Sequence, residues 1–278
     1  MQLVVFGLVA MVVFLFGRVL TLEKRVSRLG RREGMNPFTQ FVKEATDRIG
    51  KGFSSLGQND PAKIAYMRNL ERQLQSKDMM EMPFDELRIV VFDLETTGFY
   101  PYKGDEILSI GAVRVQGKHV LEDETFYSLV YSDVPPSEQI EELTGITGSM
   151  LEEAPPIREV LKDFYSFVRG GVLIAHHARH EKQFMAHATW RELKKTFSYR
   201  IVDTAFVTRI AQEEKQLTTL DDCCSEYGIS IDERHHALSD AIATAKLWAA
   251  CIEDIQKLGF VNLRDVYTYL AEKGEGGF

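Results

Sequence analysis

Two carboxylates one residue apart, Asp93 and Glu95 in Asp93-Leu94-Glu95-Thr96-Thr97-Gly98, directly follow the run Leu87 to Phe92, apolar except for Arg88. In extended backbone residues i and i+2 project to one side, so the pair can ligate one divalent cation or bridge two, since hard cations take oxygen ligands. Standing alone, the same pattern also fits a solvated acidic turn. More chemistry lies downstream. Glu181 follows the turn Ala175-His176-His177-Ala178-Arg179-His180, and His235 stands five residues before Asp240. His176, His177 and His180 offer imidazole ligands, but no other histidine completes a set at recognisable metal spacing, so they read as turn residues beside a carboxylate site.

Such residues need elements to hold them. Leu87 to Phe92 reads as a buried strand, and Ile107 to Val115 and Thr125 to Val130 as two more, with Gly117 in the turn between them: an antiparallel meander. A helical and loop segment spans Ser137 to Val168. The apolar run from Gly171 to Ala175 predicts a strand, which breaks into the histidine turn and then a helix from about Glu181 to Lys194. Tyr199 to Asp203 repeats strand-then-turn in miniature, and Leu217 to Tyr227 reads as helical. The segment from Arg234 opens a long helix reaching about Leu258, with Ala241, Ala245, Leu247, Trp248 and Ile252 on its apolar faces.

Taken together, Asp93-x-Glu95-Thr-Thr-Gly, the Ala175-His-His-Ala turn and His235-(x)4-Asp240 resemble the three motifs of the DEDDh 3′-5′ exonucleases, the superfamily of the DNA polymerase III proofreading subunit. The resemblance covers roughly Leu87 to Asp254. Glu142-Leu143-Thr144-Gly145-Ile146-Thr147 is similar to the family's substrate-loop segment, and Val202-Asp203-Thr204 to its fifth strand. The implied fold is α/β and RNase H-like, a mixed five-stranded sheet flanked by helices. One position departs: where the family has an aspartate, usually after Asn-Ala-x-Phe, this chain has Glu181 after His177-Ala178-Arg179-His180. Glutamate keeps the charge but adds one methylene, about 1.5 Å of reach, in a type of site sensitive to displacements near 1 Å.

The resemblance implies hydrolysis of a phosphodiester at a 3′ end, with two Mg2+ or Mn2+ ions clamping the scissile phosphate. Asp93, Glu95 and Asp240 would ligate the metals, with Glu181 as fourth carboxylate. His235 would be the general base, because imidazole titrates near neutral pH; the family offset selects it over His236, which is left to packing or capping. Leu94, Thr96, Thr97 and Ile146 would touch the terminal nucleotide. The implied partners are single-stranded DNA or RNA 3′ ends, and DNA replication or repair proteins. A catalytically impaired RNase H-like module that binds nucleic acid or protein is the other reading open to these residues.

Charge and composition bear on both readings. The chain has 278 residues, a net charge of −8 and 45% hydrophobic residues, which excludes a disordered or collagen-like chain. Three cysteines without CxxC spacing exclude a disulfide framework. Net acidity argues against binding nucleic acid by charge alone; a carboxylate cluster that recruits cations answers that objection. The charge is also uneven. Residues 1–34 hold six basic side chains against Glu23 and Glu33, a local +4, leaving −12 on the rest of the −8 chain. Leu3 to Gly17 is an unbroken apolar run, and if Arg18 snorkels outward it continues through Leu22, long enough to cross a bilayer. A cleaved signal peptide is the competing reading, lacking a basic segment ahead of the run and a small-residue cleavage site. The expected organisation is a transmembrane anchor over 1–22, a basic flank and helical connector over 23–86, an exonuclease domain over 87–258 and a C-terminal helix or tail over 259–278. The basic flank after the run would leave the catalytic domain in the cytoplasm.

Overall fold

Strand β1, Arg88–Thr96, buries apolar side chains on both faces, which only a sheet covered on both sides can satisfy. The computed structural model describes residues 79–273 and places β1 centrally among five strands, with β2 (Ile107–Gln116), β3 (His119–Leu129), β4 (Val172–Ala175) and β5 (Ile201–Asp203) in the order β3-β2-β1-β4-β5. The β1–β2 and β2–β3 pairs are antiparallel, and β1–β4 and β4–β5 are parallel. This is the mixed sheet expected of the RNase H-like class.

Eight α-helices are described: α1 (Glu138–Thr144), α2 (Gly148–Glu152), α3 (Ile157–Val168), α4 (Arg179–Leu193), α5 (Thr204–Ala211), α6 (Leu220–Glu226), α7 (Ala237–Lys257) and α8 (Leu263–Glu272). They sort onto the two faces of β1 by its alternation. Ile89 and Val91 pack in one cluster with Leu247, Trp248 and Ile252 of α7 and with Leu263, Val266 and Leu270 of α8. Val90, Phe92 and Leu94 pack in another with Val160, Leu161 and Phe164 of α3 and Phe184 and Met185 of α4. By the same two-residue period Asp93 and Glu95 continue the face that α7 covers.

Several boundaries move for physical reasons. β1 runs on to Thr96 rather than ending at Phe92, because Asp93, Leu94 and Glu95 pair with Gly111, Ile110 and Ser109 of β2. β3 starts at His119 rather than Thr125; the pairing passes from Val113–Thr125 to Arg114–Leu121, skipping residues 122–124. Those are Glu122, Asp123 and Glu124, exposed on an edge strand with no alternating pattern to reveal it. Helix α6 begins at Leu220 instead of Leu217 because Thr219 and Asp222 form a reciprocal capping box.

The expected anchor over 1–22 and the connector up to residue 78 lie outside the described residues. Among the described residues no helix is long and apolar enough to cross a membrane. The reading of a membrane-anchored chain with a cytoplasmic catalytic domain, drawn from the apolar run and the basic flank after it, is therefore withdrawn.

Candidate active site

The start of α7 is brought against β1 by a missing side chain. A Cβ at Gly111, the β2 residue paired with Asp93, would lie 2.2 Å from the Ala237 carbonyl carbon and from the Leu238 nitrogen. Glycine alone allows that approach. It sets the residues before and within the first turn of α7 beside the carboxylates of β1: one ligand atom each from Glu95, His235 and Asp240 lie within 4.8 Å of one another. His235 takes a left-handed conformation, φ 60°, and its backbone N–H donates to Asp240 Oδ2 at 3.1 Å. His236 is the N-cap of α7, its Nδ1 accepting from the Ser239 N–H at 3.4 Å, and it stacks on Tyr127 with ring centroids 4.6 Å apart. The capping role left to it by the five-residue offset is the one it has.

Glu181 arrives from the other layer. β4 ends at Ala175, and the turn into α4 is held by Asp203, whose carboxylate accepts from the backbone N–H groups of His177 and Ala178, each at 3.0 Å, and from Ala205 at 2.9 Å. His177 sits at φ 57°, a region histidine and asparagine tolerate better than most residues; this accounts for histidine standing where the resembling motif has asparagine. The three turn histidines each have local partners. His176 Nδ1 is 2.8 Å from Thr204 Oγ1, His177 Nε2 donates to the Thr218 carbonyl at 2.7 Å, and His180 packs against Phe184 and Phe99. Glu181, in the first turn of α4, is buried.

Burying carboxylates together has a cost visible in their proton affinity. Burial, then the charge of Asp240, pushes Asp93 up to about 8, against the pull of Arg234. Burial, then Asp93 and Asp240, pushes Glu95 up to about 9. Glu181 is raised well above the ordinary carboxylate range by burial and by Asp93, and Asp240 is raised by burial against the opposing pull of Arg234. Glu181 Oε2 and Asp240 Oδ1 are buried and find no hydrogen-bond partner among the described residues. Buried carboxylate oxygens without donors are unfavourable, and an oxygen-seeking divalent cation satisfies them directly. The residues present therefore fit such ions.

The other expected site residues divide. Thr96 Oγ1 donates to the Gly98 carbonyl at 2.7 Å, and Thr97 and Glu106 exchange hydrogen bonds at 3.0 Å, closing the turn after β1. The Leu94 side chain is buried in the cluster with α3 and α4, and Ile146 is buried with Leu108 and Leu151. As side chains these two are core, which leaves only their backbone groups to meet the terminal nucleotide they were expected to touch.

Arg234 was missed by sequence reasoning. Its guanidinium pairs with Asp240 Oδ2, while its Nε donates to Asp221 at 2.9 and 3.1 Å. It supplies positive charge next to the buried carboxylates, and asking what balances them would have drawn attention to the basic residue preceding His235.

With this geometry in view, comparison with known proteins is informative. The RNase T-type exonuclease family model matches residues 90–248. A DNA polymerase III subunit epsilon-like protein of Rhodobacter capsulatus is 32% identical over 246 residues, 87% of this chain and 34% of that protein. The PolC-type DNA polymerase III of Caldanaerobacter subterraneus is 34% identical over 188 residues, 68% of this chain and 13% of its own length. The chain thus spans about a third or less of these curated relatives. Among solved structures, the nuclease domain of 3′hExo, a DEDDh family member bound to rAMP, superposes with a TM-score of 0.55 at 20% identity, covering 61% of this chain and 93% of that one. E. coli Exonuclease I in complex with a dT13 oligonucleotide gives 0.54 at 16%, covering 63% and 43%. These likenesses establish the fold.

Proposed function

This chain belongs to the exonuclease family, and on that footing we propose that it is of the DEDDh 3′-5′ type and removes mononucleotides from single-stranded DNA or RNA 3′ ends, using two Mg2+ or Mn2+ ions held by Asp93, Glu95, Glu181 and Asp240. One observation carries the reading: four carboxylates with raised proton affinity, three of them buried, come together from both sides of the sheet, and two of their oxygens lack partners among the described residues. When bound, such ions supply Lewis acidity at the phosphate and ease deprotonation of water.

The chain's own residues do the rest. His235 accepts the proton of the attacking water at its imidazole, held by its backbone hydrogen bond to Asp240 and within 4.8 Å of Glu95 and Asp240. Water oxygen bonds to phosphorus, the bond to the leaving 3′ oxygen breaks, and a proton from solvent completes the new 3′ hydroxyl. Leu94, Thr96, Thr97 and Ile146 line the approach through backbone groups and the two hydroxyls. The partners that follow are nucleic-acid 3′ ends and, from the names of the polymerase relatives, replication or repair proteins.

Glu181 in place of aspartate favours one rival, a module that binds nucleic acid or protein without cutting. A digestion panel of single-stranded DNA, double-stranded DNA and RNA, each with Mg2+, Mn2+ or EDTA, separates the two. Metal-dependent release of mononucleotides supports the enzyme. Retention of the strand without cleavage in any metal supports the rival.

A further inference from the structure

A row of exposed rings leaves the site along α4. The segment after Gly98 carries Phe99, Tyr100 and Tyr102, 75, 59 and 71% exposed. Phe99 lies edge-on to His180 with centroids 5.8 Å apart, and Tyr102 edge-on to His187 at 5.1 Å. His180 and His187 are two turns apart on one face of α4, and Trp190, 62% exposed, is one turn further on. The row begins at the site itself, since His180 Nε2 is 3.3 Å from Thr96 Oγ1 on the turn that closes β1. From His180 to Trp190 is ten residues, about 15 Å, room for two or three nucleotides.

The segment is fixed rather than merely exposed. The Tyr100 N–H donates to Asp105 Oδ2 at 2.8 Å, Pro101–Lys103 forms a 3-10 turn, and Gly104 ends it at φ 109°. Cationic groups accompany the rings. Lys103 Nζ stands 4.3 Å over Tyr100, and Arg191 neutralises Glu106 at 2.8 Å beside the row. Single exposed rings are ordinary on a protein surface; a series of rings that starts beside the candidate site is what a single strand requires for stacking its bases.

We propose that Phe99, Tyr102, His187 and Trp190 form a stacking platform for the single strand upstream of the 3′-terminal nucleotide. This deepens the exonuclease reading and rests on it for the direction of the strand. Stacking on rings is tolerant of sequence, so the platform grips any single strand and adds length dependence to its binding.

The full chain has two tryptophans, Trp190 and the fully buried Trp248, so fluorescence reports the platform. Titration with an oligothymidylate made uncleavable by 3′ phosphorothioates, in Mg2+, should quench Trp190 saturably, and Trp190→Phe should abolish the quench. Tyr102→Ala should raise Kd for the oligonucleotide about tenfold, and that ratio should shrink as the oligothymidylate is shortened. Quenching without cleavage of ordinary DNA or RNA would leave the platform standing and remove the exonuclease reading. Cleavage without quenching, or an oligonucleotide Kd indifferent to Tyr102→Ala, overturns the platform and leaves the exonuclease. Absence of both binding and cleavage overturns both.

Discussion

The two halves of the candidate site are built on different terms. On one side, Glu95, His235 and Asp240 meet because Gly111 lets α7 approach β2 closely, and Arg234 balances the result. Little slack exists there. On the other side, Glu181 rides on the first turn of α4, behind a histidine turn pinned by Asp203. That half departs from the family pattern at both His177 and Glu181, and His177 suits the φ 57° its position requires. Where backbone packs on backbone the motif is kept; where a turn and a flexible side chain intervene, it drifts.

Substitutions on the tightly packed side should be the more damaging. Asp240→Asn removes a charge aimed at the ions, and mononucleotide release at saturating Mg2+ should fall on the order of a thousandfold. Gly111→Ala leaves every functional group in place but drives a methyl into the α7 backbone. Stability should drop by about 1–3 kcal/mol in denaturant titration, and rate by about a hundredfold as α7 shifts near 1 Å. A folded, fully active Gly111→Ala would show that the close approach is unnecessary.

Smaller effects are expected across the cleft. Glu181→Asp shortens the reach by one methylene, so kcat should decline about tenfold at matched metal; a gain in rate would instead mark glutamate as detuning the site. His177→Asn keeps a residue suited to φ 57° and should change melting temperature and rate least, within about twofold.

Proton linkage sharpens the same contrast. Carboxylates whose affinity is raised in the fold, Asp93 to about 8 and Glu95 to about 9, bind more protons folded than unfolded. In EDTA, stability should therefore fall as pH rises from about 5 through 9. Cations replace those protons, so the increase in melting temperature on adding Mg2+ should grow with pH across that window. A gain independent of pH would place the ions elsewhere.

How much of this was legible in the sequence depended on the kind of interaction. Asp93, Glu95 and Asp240 were readable because spacing along a strand or into a helix fixes a face. The same two-residue period puts Leu94 on the opposite face from Asp93 and Glu95, a consequence overlooked when it was read as touching the terminal nucleotide. Ile146 looked like a loop residue because the small cluster it fills with Leu108 and Leu151 joins segments far apart in sequence. Residues 119–124 hid a strand because an edge strand can be polar on both sides. Arg234 and Asp203 act across 6 to 26 residues of chain, on Asp240 and on the histidine turn, and no local pattern announces such partners. The anchor was read from the apolar run near the N-terminus and the basic flank after it, and local hydropathy and charge do not by themselves place a segment in a membrane.

The central claim is that this chain is a metal-dependent 3′-5′ exonuclease with His235 as its base. A 5′-labelled single-stranded oligonucleotide, incubated with full-length wild type or His235→Ala at matched Mg2+ and sampled over time, tests it most directly. The account predicts a ladder shortening one nucleotide at a time from the 3′ end, abolished by EDTA and slowed at least about a hundredfold in His235→Ala. Equal digestion by the two proteins, or products that do not shorten from the 3′ end, would contradict it.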